Sequence, residues 1–272
     1  MNFQPHIVLN GRLLDAGAAR ISPLGDGFMF GLGLFETIKV LNGRPVFFED
    51  HYDRLRRSAG ELRLPFTASA AELRARCEQC LSANGLGEGS LKLVVFQDTD
   101  GLGELIAARE KTHLPEHYER GFALKMFPGG QREGKLFGLK TVNYLGNLQA
   151  KQAAVAAGCD EALFIDSAGL VLEGSTSNVF VVKGGEVLTP PLDGRILPGI
   201  ARSRMLQLLK NGRECAIPAQ LLADADEVFV TNALLGVMPV AAVDRQRHDL
   251  TRNPVTKSLM EAYRKLQLQS VE

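Results

Sequence analysis

The order of apolar and polar residues predicts two hairpins near the start of the chain. Each contains an Asn-Gly pair, Asn10-Gly11 and Asn42-Gly43, between two short apolar runs. Asn-Gly is a dipeptide that strongly favours a two-residue hairpin turn, because both of its residues tolerate a positive φ. We therefore predict antiparallel strands on either side of each pair.

Two amphipathic segments follow the second hairpin and predict helices. The first begins at about Glu49, with acidic residues in its first turn, where the helix dipole favours negative charge. The second spans Ser69–Asn84 and ends at Gly85. Ser69 and Glu72 have the spacing of a capping box, in which each side chain binds the backbone N–H of the other residue.

A buried strand is predicted at Leu91–Phe96, where apolar residues dominate. Residues 98–120 combine glycine, threonine, proline and mixed charge without a clear period, so we predict a loop and linker there. The chain is therefore expected to divide into two domains, residues 1–120 and 121–272.

Short apolar runs separated by turn residues dominate the second part of the chain. They predict strands at 122–127, 161–165, 170–172, 179–182, 187–189 and 228–230. Helices are predicted at 145–157, 199–210 and 255–266. The glycine-rich segment 129–137 is predicted to be a mobile loop. Hairpins rather than repeated βαβ units make up this pattern, which indicates an α+β fold, or an α/β fold of two domains.

Composition argues against several classes of function. Of the 272 residues, 31 are basic and 31 are acidic, so no basic surface for nucleic acid is implied. No apolar run approaches membrane-spanning length, and the N-terminus lacks a signal-peptide pattern. We therefore expect a soluble, cytoplasmic protein that binds neither nucleic acid nor a membrane.

The cysteines give little support for a metal site. Cys77 and Cys80 form a Cys-x-x-Cys pair, but no second pair or nearby histidine completes a zinc-binding set. The surrounding residues, 71–81, have the pattern of an amphipathic helix. We interpret both as reduced cysteines of that helix and predict no metal ion.

A lysine and a glutamate carry the candidate chemistry. Lys140 lies just before the predicted helix at 145–157, and Glu173 ends a predicted strand and leads into a run of small and polar residues. Enzymes that use pyridoxal 5'-phosphate (PLP) need such a pair. The lysine holds the cofactor aldehyde as a Schiff base, and the carboxylate keeps the pyridine nitrogen protonated. Each residue taken alone is more often a solvated surface charge.

Three further features suit a phosphate. Arg54 could bind one through two hydrogen bonds, although the neighbouring Arg56 and Arg57 are typical of a solvated helix face. A helix predicted to begin at Leu197–Arg202 has backbone N–H groups in its first turn that can bind an anion. Thr231-Asn232 ends a predicted strand and could close the phosphate site from another side.

Together these features resemble the class IV aminotransferase family, the fold type IV PLP enzymes. Its members are branched-chain aminotransferases, D-amino acid aminotransferases and aminodeoxychorismate lyases. The resemblance covers almost the whole chain and rests on residues 25–36, 51–59, 140–144, 160–164, 173–180, 189–191 and 197–202. It implies a small α/β N-terminal domain, a larger C-terminal domain with a barrel-like sheet, and a cofactor site between them.

The resemblance also implies roles for individual residues. Lys140 would hold the cofactor and carry protons, Glu173 would bind the pyridine nitrogen, and Arg54 would bind the phosphate. Tyr144 would bind the ring hydroxyl, and Leu197 would pack on the ring. The other cofactor-binding residues are assigned as Ser177, Asn178, Ile200, Ala201, Thr231 and Asn232. Family members are dimers at least, so we expect a homodimer that acts on a small amino substrate.

The resemblance favours a lyase over an aminotransferase. Residues 228–240 and 90–95 are similar to those of the aminodeoxychorismate lyases, and Thr37 could supply a hydroxyl near the leaving group, as a threonine does there. Phe30 stands where many aminotransferases have a tyrosine, and no Arg-x-His follows the strand at 91–96. Substrate contacts are assigned to Phe30, Lys92 and Ala233, and the catalytic residues are Lys140 and Thr37.

Other residues point to an aminotransferase, so the reaction stays open. Residues 143–145 and 35–36 look like those of aminotransferases, and the loop arginine of the lyases is absent near 98–104. The preferred hypothesis is a 4-amino-4-deoxychorismate lyase, which forms p-aminobenzoate and pyruvate in the folate pathway. The alternative is an aminotransferase of the branched-chain or D-amino acid type. A third hypothesis, a non-catalytic descendant of the fold, is disfavoured by the joint presence of the lysine, the glutamate and the arginine.

Overall fold

Two compact units make up the chain. The computed structural model describes residues 3–110, 115–128, 134–209 and 211–272, apart from the side chain of Lys135. The first unit comprises Met1–Thr112, Lys140–Asn143 and Leu266–Glu272, and the second comprises His113–Leu139 and Tyr144–Lys265. Each unit has its own sheet with helices packed against it, which confirms the predicted α+β class.

The first unit is built on an antiparallel sheet of six strands in the order β2-β1-β6-β5-β3-β4. Its strands are β1 (Phe3–Leu9), β2 (Arg12–Asp15), β3 (Gly33–Leu41), β4 (Arg44–Pro45), β5 (Gly89–Asp98) and β6 (Gly101–Glu110). Both predicted Asn-Gly hairpins are confirmed. Asn10, Gly11, Asn42 and Gly43 all have a positive φ, as this turn requires.

Helices α1 (Asp26–Met29), α2 (Phe48–Glu61) and α3 (Ala70–Ala83) belong to the same unit, with a short 3-10 helix at Ala16–Ala18. Helix α2 packs against β3, and α3 packs against β1 and β6. The predicted capping box is confirmed, because Ser69 accepts from the Glu72 backbone and Glu72 accepts from the Ser69 backbone. Cys77 and Cys80 are free and buried in α3, as predicted.

The second unit is built on a sheet of nine strands. They are β7 (Phe122–Pro128), β8 (Glu161–Ile165), β9 (Val171–Gly174), β10 (Asn178–Lys183), β11 (Glu186–Thr189), β12 (Gly212–Glu214), β13 (Glu227–Asn232), β14 (Gly236–Val243) and β15 (Gln246–Arg247). The order is β12-β11-β10-β13-β14-β7-β8-β9, and β15 pairs with β14. The end strand β9 continues into β10 through a tight turn that the Gly174 N–H closes on the Ser177 carbonyl at 2.7 Å. The sheet therefore returns on itself, as the predicted barrel-like form requires.

This unit also contains the helices α4 (Pro115–Arg120), α5 (Leu145–Ala156), α6 (Ile200–Leu208) and α7 (Pro254–Gln269), of which α7 belongs to the first unit from Leu266 onward. Three short 3-10 helices lie at Lys135–Gly138, Ala219–Leu222 and Leu250–Arg252. The core of the sheet consists of fully buried apolar residues of several strands, such as Leu124, Leu163, Val179, Val230 and Met238. Among the described residues, no helix is both long and apolar enough to cross a membrane.

One part of the predicted pattern is wrong. The segment 98–120 was expected to be a loop and linker, but most of it is β6 and α4. Strand β6 pairs along its length with β5 and also with β1, so pairing on both edges outweighs its weak local preference for a strand. Its Gly103 is required by packing, because a Cβ there would lie 2.3 Å from the ring of Phe96. Of the predicted mobile loop at 129–137, residues 129–133 lie outside the described residues.

Candidate active site

Lys140 is fixed by backbone hydrogen bonds to the start of β3. The N–H of Phe35 donates to the Lys140 carbonyl at 2.8 Å, and the N–H of Val142 donates to the Gly33 carbonyl at 3.0 Å. One residue further on, Asn143 donates from Nδ2 to the Gly31 carbonyl at 2.9 Å. The lysine therefore sits on a short segment that runs beside a strand, and its backbone position is determined by the sheet.

Two lysines share the aromatic ring of Phe35. Lys92 Nζ lies 3.1 Å from the ring centroid and Lys140 Nζ lies 4.6 Å from it, both within cation–π range. Lys92 comes from β5, where it lies directly opposite Thr37 of β3, so these two side chains project from the same face of the sheet. We call Phe35, Thr37, Lys92 and Lys140 the lysine cluster.

The protonation of the lysine cluster is sensitive to its surroundings. Burial, together with the charges of Lys140 and Arg109, lowers the pKa of Lys92 to about 7, while Glu36 acts in the opposite direction. A lysine with such a pKa is close to half protonated at neutral pH, and an anion bound beside it would favour its charged form.

A second charged group, the arginine cluster, consists of Glu36, His51 and Arg54. Glu36 follows Phe35 in β3, and the other two residues are one turn apart on α2. Arg54 donates to Glu36 through Nε at 2.8 Å and through Nη2 at 2.5 Å, while His51 Nδ1 lies 2.7 Å from the same carboxylate. All three are at most 6% exposed. Burial tends to raise the pKa of Glu36, but Arg54 and His51 outweigh it and hold that pKa well below its usual range.

The glutamate turn, residues 173–178 between β9 and β10, contains the predicted carboxylate of the second unit. Glu173 is 5% exposed. One of its oxygens accepts from the N–H of Leu197 at 3.0 Å and from Nδ2 of Asn178 at 3.2 Å. Asn178 also donates to the Leu197 carbonyl at 3.0 Å. The turn is therefore bound to the residues that immediately precede α6.

Three side chains from outside the glutamate turn hold its middle. Tyr144 donates from its hydroxyl to the Ser175 carbonyl at 2.8 Å, and Asn147 donates to the same oxygen at 2.6 Å. The fully buried carboxylate of Glu161 accepts from the hydroxyls of Ser175 and Thr176. These contacts fix the backbone of the turn without using the carboxylate of Glu173.

Donors for an anion lie in the same unit. Helix α6 begins at Ile200, and the first N–H groups of a helix have no partner within it. The hydroxyls of Ser177 and Thr231 are shielded from solvent and have no hydrogen-bond partner among the described residues. Asn232 is used structurally, because it donates to the Thr176 carbonyl and accepts from the N–H groups of Leu234 and Leu235.

The predicted site residues therefore form groups within each unit. In the first unit Thr37, Lys92 and Lys140 lie together and Arg54 belongs to the arginine cluster, whereas Phe30 follows α1 with 72% of its surface exposed and has no described contact with either cluster. In the second unit, contacts described above join Tyr144, Glu173, Asn178 and Leu197 through the glutamate turn. The other predicted residues of this unit are Ser177 in the turn, Ile200 and Ala201 at the start of α6, and Thr231, Asn232 and Ala233 at the end of β13.

Sequence reasoning missed three buried charged or titratable residues: Glu36, His51 and Glu161. A signal for Glu36 was present, because a carboxylate inside an apolar strand needs a partner when it is buried. The i, i+3 spacing of His51 and Arg54 on a predicted helix offered such partners on one face. No group of residues that could hold a metal ion occurs in the described part of the chain.

Comparisons with known proteins identify the family of the chain. The model of the family "Amino-transferase class IV" matches residues 33–243. The chain is 30% identical to a D-alanine aminotransferase of Bacillus licheniformis, over 94% of this chain and 95% of that protein. It is 28% identical to an aminodeoxychorismate lyase of Bacillus subtilis, over 95% of this chain and 94% of that protein.

A solved structure extends the comparison to the fold. The branched-chain aminotransferase of Thermoproteus uzoniensis superposes with a TM-score of 0.89 at 27% identity, over 98% of this chain and 96% of that one. These three proteins have different activities but similar identity to this chain. Identity therefore shows the family and does not discriminate between the reactions. The chain belongs to the class IV aminotransferases, a family of PLP-dependent enzymes.

Proposed function

We propose that this enzyme is a 4-amino-4-deoxychorismate lyase that uses PLP to form p-aminobenzoate and pyruvate. The observation that carries the proposal is the lysine cluster. Thr37 lies opposite Lys92, and Lys92 and Lys140 contact one aromatic ring. The substrate of such a lyase carries an amine and carboxylates. The enzyme therefore needs a base, a hydroxyl near the leaving group and a cation that binds a carboxylate. This face of the sheet supplies all three.

The residues of the second unit fit a PLP cofactor. Buried polar groups are normally hydrogen-bonded, so the unsatisfied hydroxyls of Ser177 and Thr231 suit a ligand that brings acceptors of its own, such as a phosphate. The start of α6 offers N–H groups of Ile200 and Ala201 for the same kind of ligand. The buried carboxylate of Glu173 is suited to a protonated pyridine nitrogen.

The proposed roles follow from the chemistry of each side chain. When bound, PLP withdraws electrons from the substrate α-carbon. Lys140 holds the cofactor at rest, and its amine then accepts the proton of the substrate α-carbon. Thr37 provides a hydroxyl to the oxygen of the leaving enolpyruvyl group, and Lys92 binds a substrate carboxylate. Glu173 keeps the pyridine nitrogen protonated throughout.

The residues that resemble those of aminotransferases have structural contacts that do not depend on the reaction. Asn143 binds the Gly31 carbonyl, Tyr144 binds the Ser175 carbonyl, and Glu36 binds Arg54. These contacts position backbone and side chains that either reaction would need, so they do not discriminate. Transamination is nevertheless the alternative function, because aminotransferases of two substrate types are among the similar proteins.

A product assay tests the proposal. The purified, PLP-loaded enzyme is mixed with enzymatically generated 4-amino-4-deoxychorismate, and the fluorescence of p-aminobenzoate is followed. We expect rapid product formation that is lost in Lys140→Ala. If the cofactor-loaded enzyme forms no p-aminobenzoate but transfers amino groups from a panel of L- and D-amino acids to 2-oxoglutarate, the aminotransferase alternative replaces the lyase.

We also infer that the chain forms a homodimer. The segment 21–30 of the first unit exposes five large apolar side chains, each at least half accessible to solvent: Ile21, Leu24, Phe28, Met29 and Phe30. Such a concentration of apolar surface is typical of a surface that another protein covers. Light scattering after size exclusion should give twice the mass of one chain. The double substitution Leu24→Asp/Phe28→Asp should give the mass of one chain.

A further inference from the structure

The geometry of the arginine cluster goes beyond a simple ion pair. Nε and Nη2 of Arg54 bind the two different oxygens of Glu36, at 2.8 and 2.5 Å. A two-point contact of this kind fixes the plane of the guanidinium as well as its position. It therefore also fixes the direction of the other N–H groups of Arg54, since all five lie in one plane.

His51 completes the cluster by fixing Glu36 in turn. Burial lowers the pKa of His51, with Glu36 acting in the opposite direction, so the imidazole is neutral at pH 7. A neutral imidazole whose Nδ1 lies 2.7 Å from a carboxylate donates its proton to it. Glu36 thus accepts from three side-chain N–H groups of α2, two of Arg54 and one of His51. The cluster contains one negative and one positive charge.

Stability alone does not explain why this cluster is buried. Removing two charges from water is unfavourable, and well-packed apolar residues often stabilise a protein as much as a buried ion pair does. An arginine that is already ordered, however, loses little conformational freedom when it binds a ligand. The cluster is therefore better explained by a role in orienting the guanidinium of Arg54 before an anion binds.

We propose that Glu36 is a positioning residue for Arg54, orienting its guanidinium toward the phosphate group of the cofactor, with His51 holding Glu36 in place. The inference rests on the proposed role of Arg54 in PLP binding. Glu36 itself is not expected to touch the cofactor, because its carboxylate is occupied by Arg54 and His51 and would repel a phosphate.

The test compares two probes that differ only in the phosphate. Dissociation constants of PLP and of pyridoxal are measured by absorbance titration of the cofactor-free protein. The wild type and Glu36→Gln are compared. We expect at least a tenfold weaker affinity for PLP and less than a twofold change for pyridoxal. A merely structural role would weaken both equally, and that result, or an unchanged or tighter affinity for PLP, overturns the proposal.

Two controls separate the inference from the function beneath it. Glu104 forms an ion pair with Arg76 in the same unit, through one hydrogen bond and one further close contact, so Glu104→Gln should leave both affinities unchanged. Arg54→Gln should lose the preference for PLP. If it does and Glu36→Gln does not, only the positioning role fails. If Arg54→Gln keeps the preference, the proposed role of Arg54 fails as well.

A double variant and a second substitution complete the design. Because Glu36 is proposed to act through Arg54, Glu36→Gln/Arg54→Gln should bind PLP no more weakly than Arg54→Gln alone. Additive losses would contradict the proposal. If Glu36→Gln does not fold, Glu36→Asp is used instead. It keeps the charge but withdraws the carboxylate, and the same selective loss of PLP affinity is expected.

Discussion

The arginine cluster and the lysine cluster begin at adjacent residues of β3 but hold their charges in opposite ways. Glu36 is paired with Arg54 and His51 at distances of 2.5 to 2.8 Å, and the three side chains are almost completely buried. Phe35, one residue earlier, projects from the other face of the strand. There it contacts two lysines at once.

The difference separates charges that hold a geometry from charges that can move a proton. Opposite charges in contact stabilise each other's ionised forms, so the protonation of the arginine cluster is fixed over a wide range of pH. Burial and the like charge of Lys140 both disfavour the charged form of Lys92, so the pKa of Lys92 falls to about 7. The lysine cluster is therefore suited to supply a base, and the arginine cluster is suited to hold an arginine that binds an anion.

Removing the lysine of the proposed reaction gives the largest expected effect. Lys140→Ala should reduce kcat by at least about 10⁴-fold, since it removes both the covalent link to the cofactor and the base. PLP should still bind through its phosphate, as equilibrium dialysis would measure. Lys125→Ala, which removes a lysine paired with Asp244, is the control and should keep full activity. Unchanged turnover in Lys140→Ala would rule out the assigned role.

Glu173 extends the comparison to a carboxylate held by neutral donors. Glu173→Gln keeps an oxygen that can accept from Leu197 and Asn178 but loses the charge. We expect kcat to fall about 100-fold, within the range typical of lost proton-transfer groups, while PLP stays bound. Stopped-flow and deuterium exchange at the substrate α-carbon would measure the slow step. Exchange at the wild-type rate would contradict the electron-withdrawing role of the protonated ring.

Sequence reasoning succeeded where the signal is local. The Asn-Gly turns and the capping box of α3 each depend on residues within four positions of one another, so the chain predicts them directly. Lys140 and Glu173 were found because their flanking segments resemble a known family. Their roles, and those of the other assigned residues, stay predictions until the substitutions are measured.

Contacts between distant segments could not be predicted in the same way. Lys92 meets Lys140 on Phe35 only because β3 and β5 pair in one particular register, with Thr37 opposite Lys92. A shift by one residue would turn Lys92 to the other face. The pairing of Glu36 with Arg54 likewise depends on how α2 packs on β3, which no local pattern specifies. Strand β6 was missed for the same reason, since its stability comes from its neighbours.

Gly31 accepts a hydrogen bond from Asn143, which lies on the same short segment as Lys140. We expect a substitution of Gly31 to have a moderate effect on stability. Gly31 has a φ of +68°, and a Cβ there would lie 2.1 Å from Oδ1 of Asn143. Gly31→Ala should therefore displace Asn143 and lower Tm by several degrees, about 2–4 °C for each kcal/mol in a chain of this size. Gly60→Ala is the control, because no atom lies within 4 Å of its Cβ position and alanine favours the helix. If Gly60→Ala lowered Tm as much as Gly31→Ala does, the displacement of Asn143 would not be the cause of the lost stability.

The smallest expected effect tests the contrast between the clusters through pH. The pKa of Lys92 is about 7 in the folded chain and near 10.4 when unfolded. Between these values the unfolded chain holds the extra proton, so the stability of the wild type rises with pH at this site. Below pH 7 both states are protonated, and the cost of the buried charge is fully present. Lys92→Met removes this cost, so it should raise Tm at pH 6.5.

Differential scanning fluorimetry of cofactor-free protein at pH 6.5 and 9.5 would measure this contrast. The advantage of Lys92→Met should be about 2–4 °C at pH 6.5, corresponding to roughly 1 kcal/mol, and should shrink at pH 9.5. Lys125→Met is the matched control. The hydrogen bond and charge of Asp244 raise the pKa of Lys125 above its ordinary value, so this lysine is protonated in both states at both pH values. Its effect on Tm should therefore be the same at each. If the Lys92→Met difference were equally independent of pH, Lys92 would not exchange its proton near neutrality, and the two clusters would hold their charges alike.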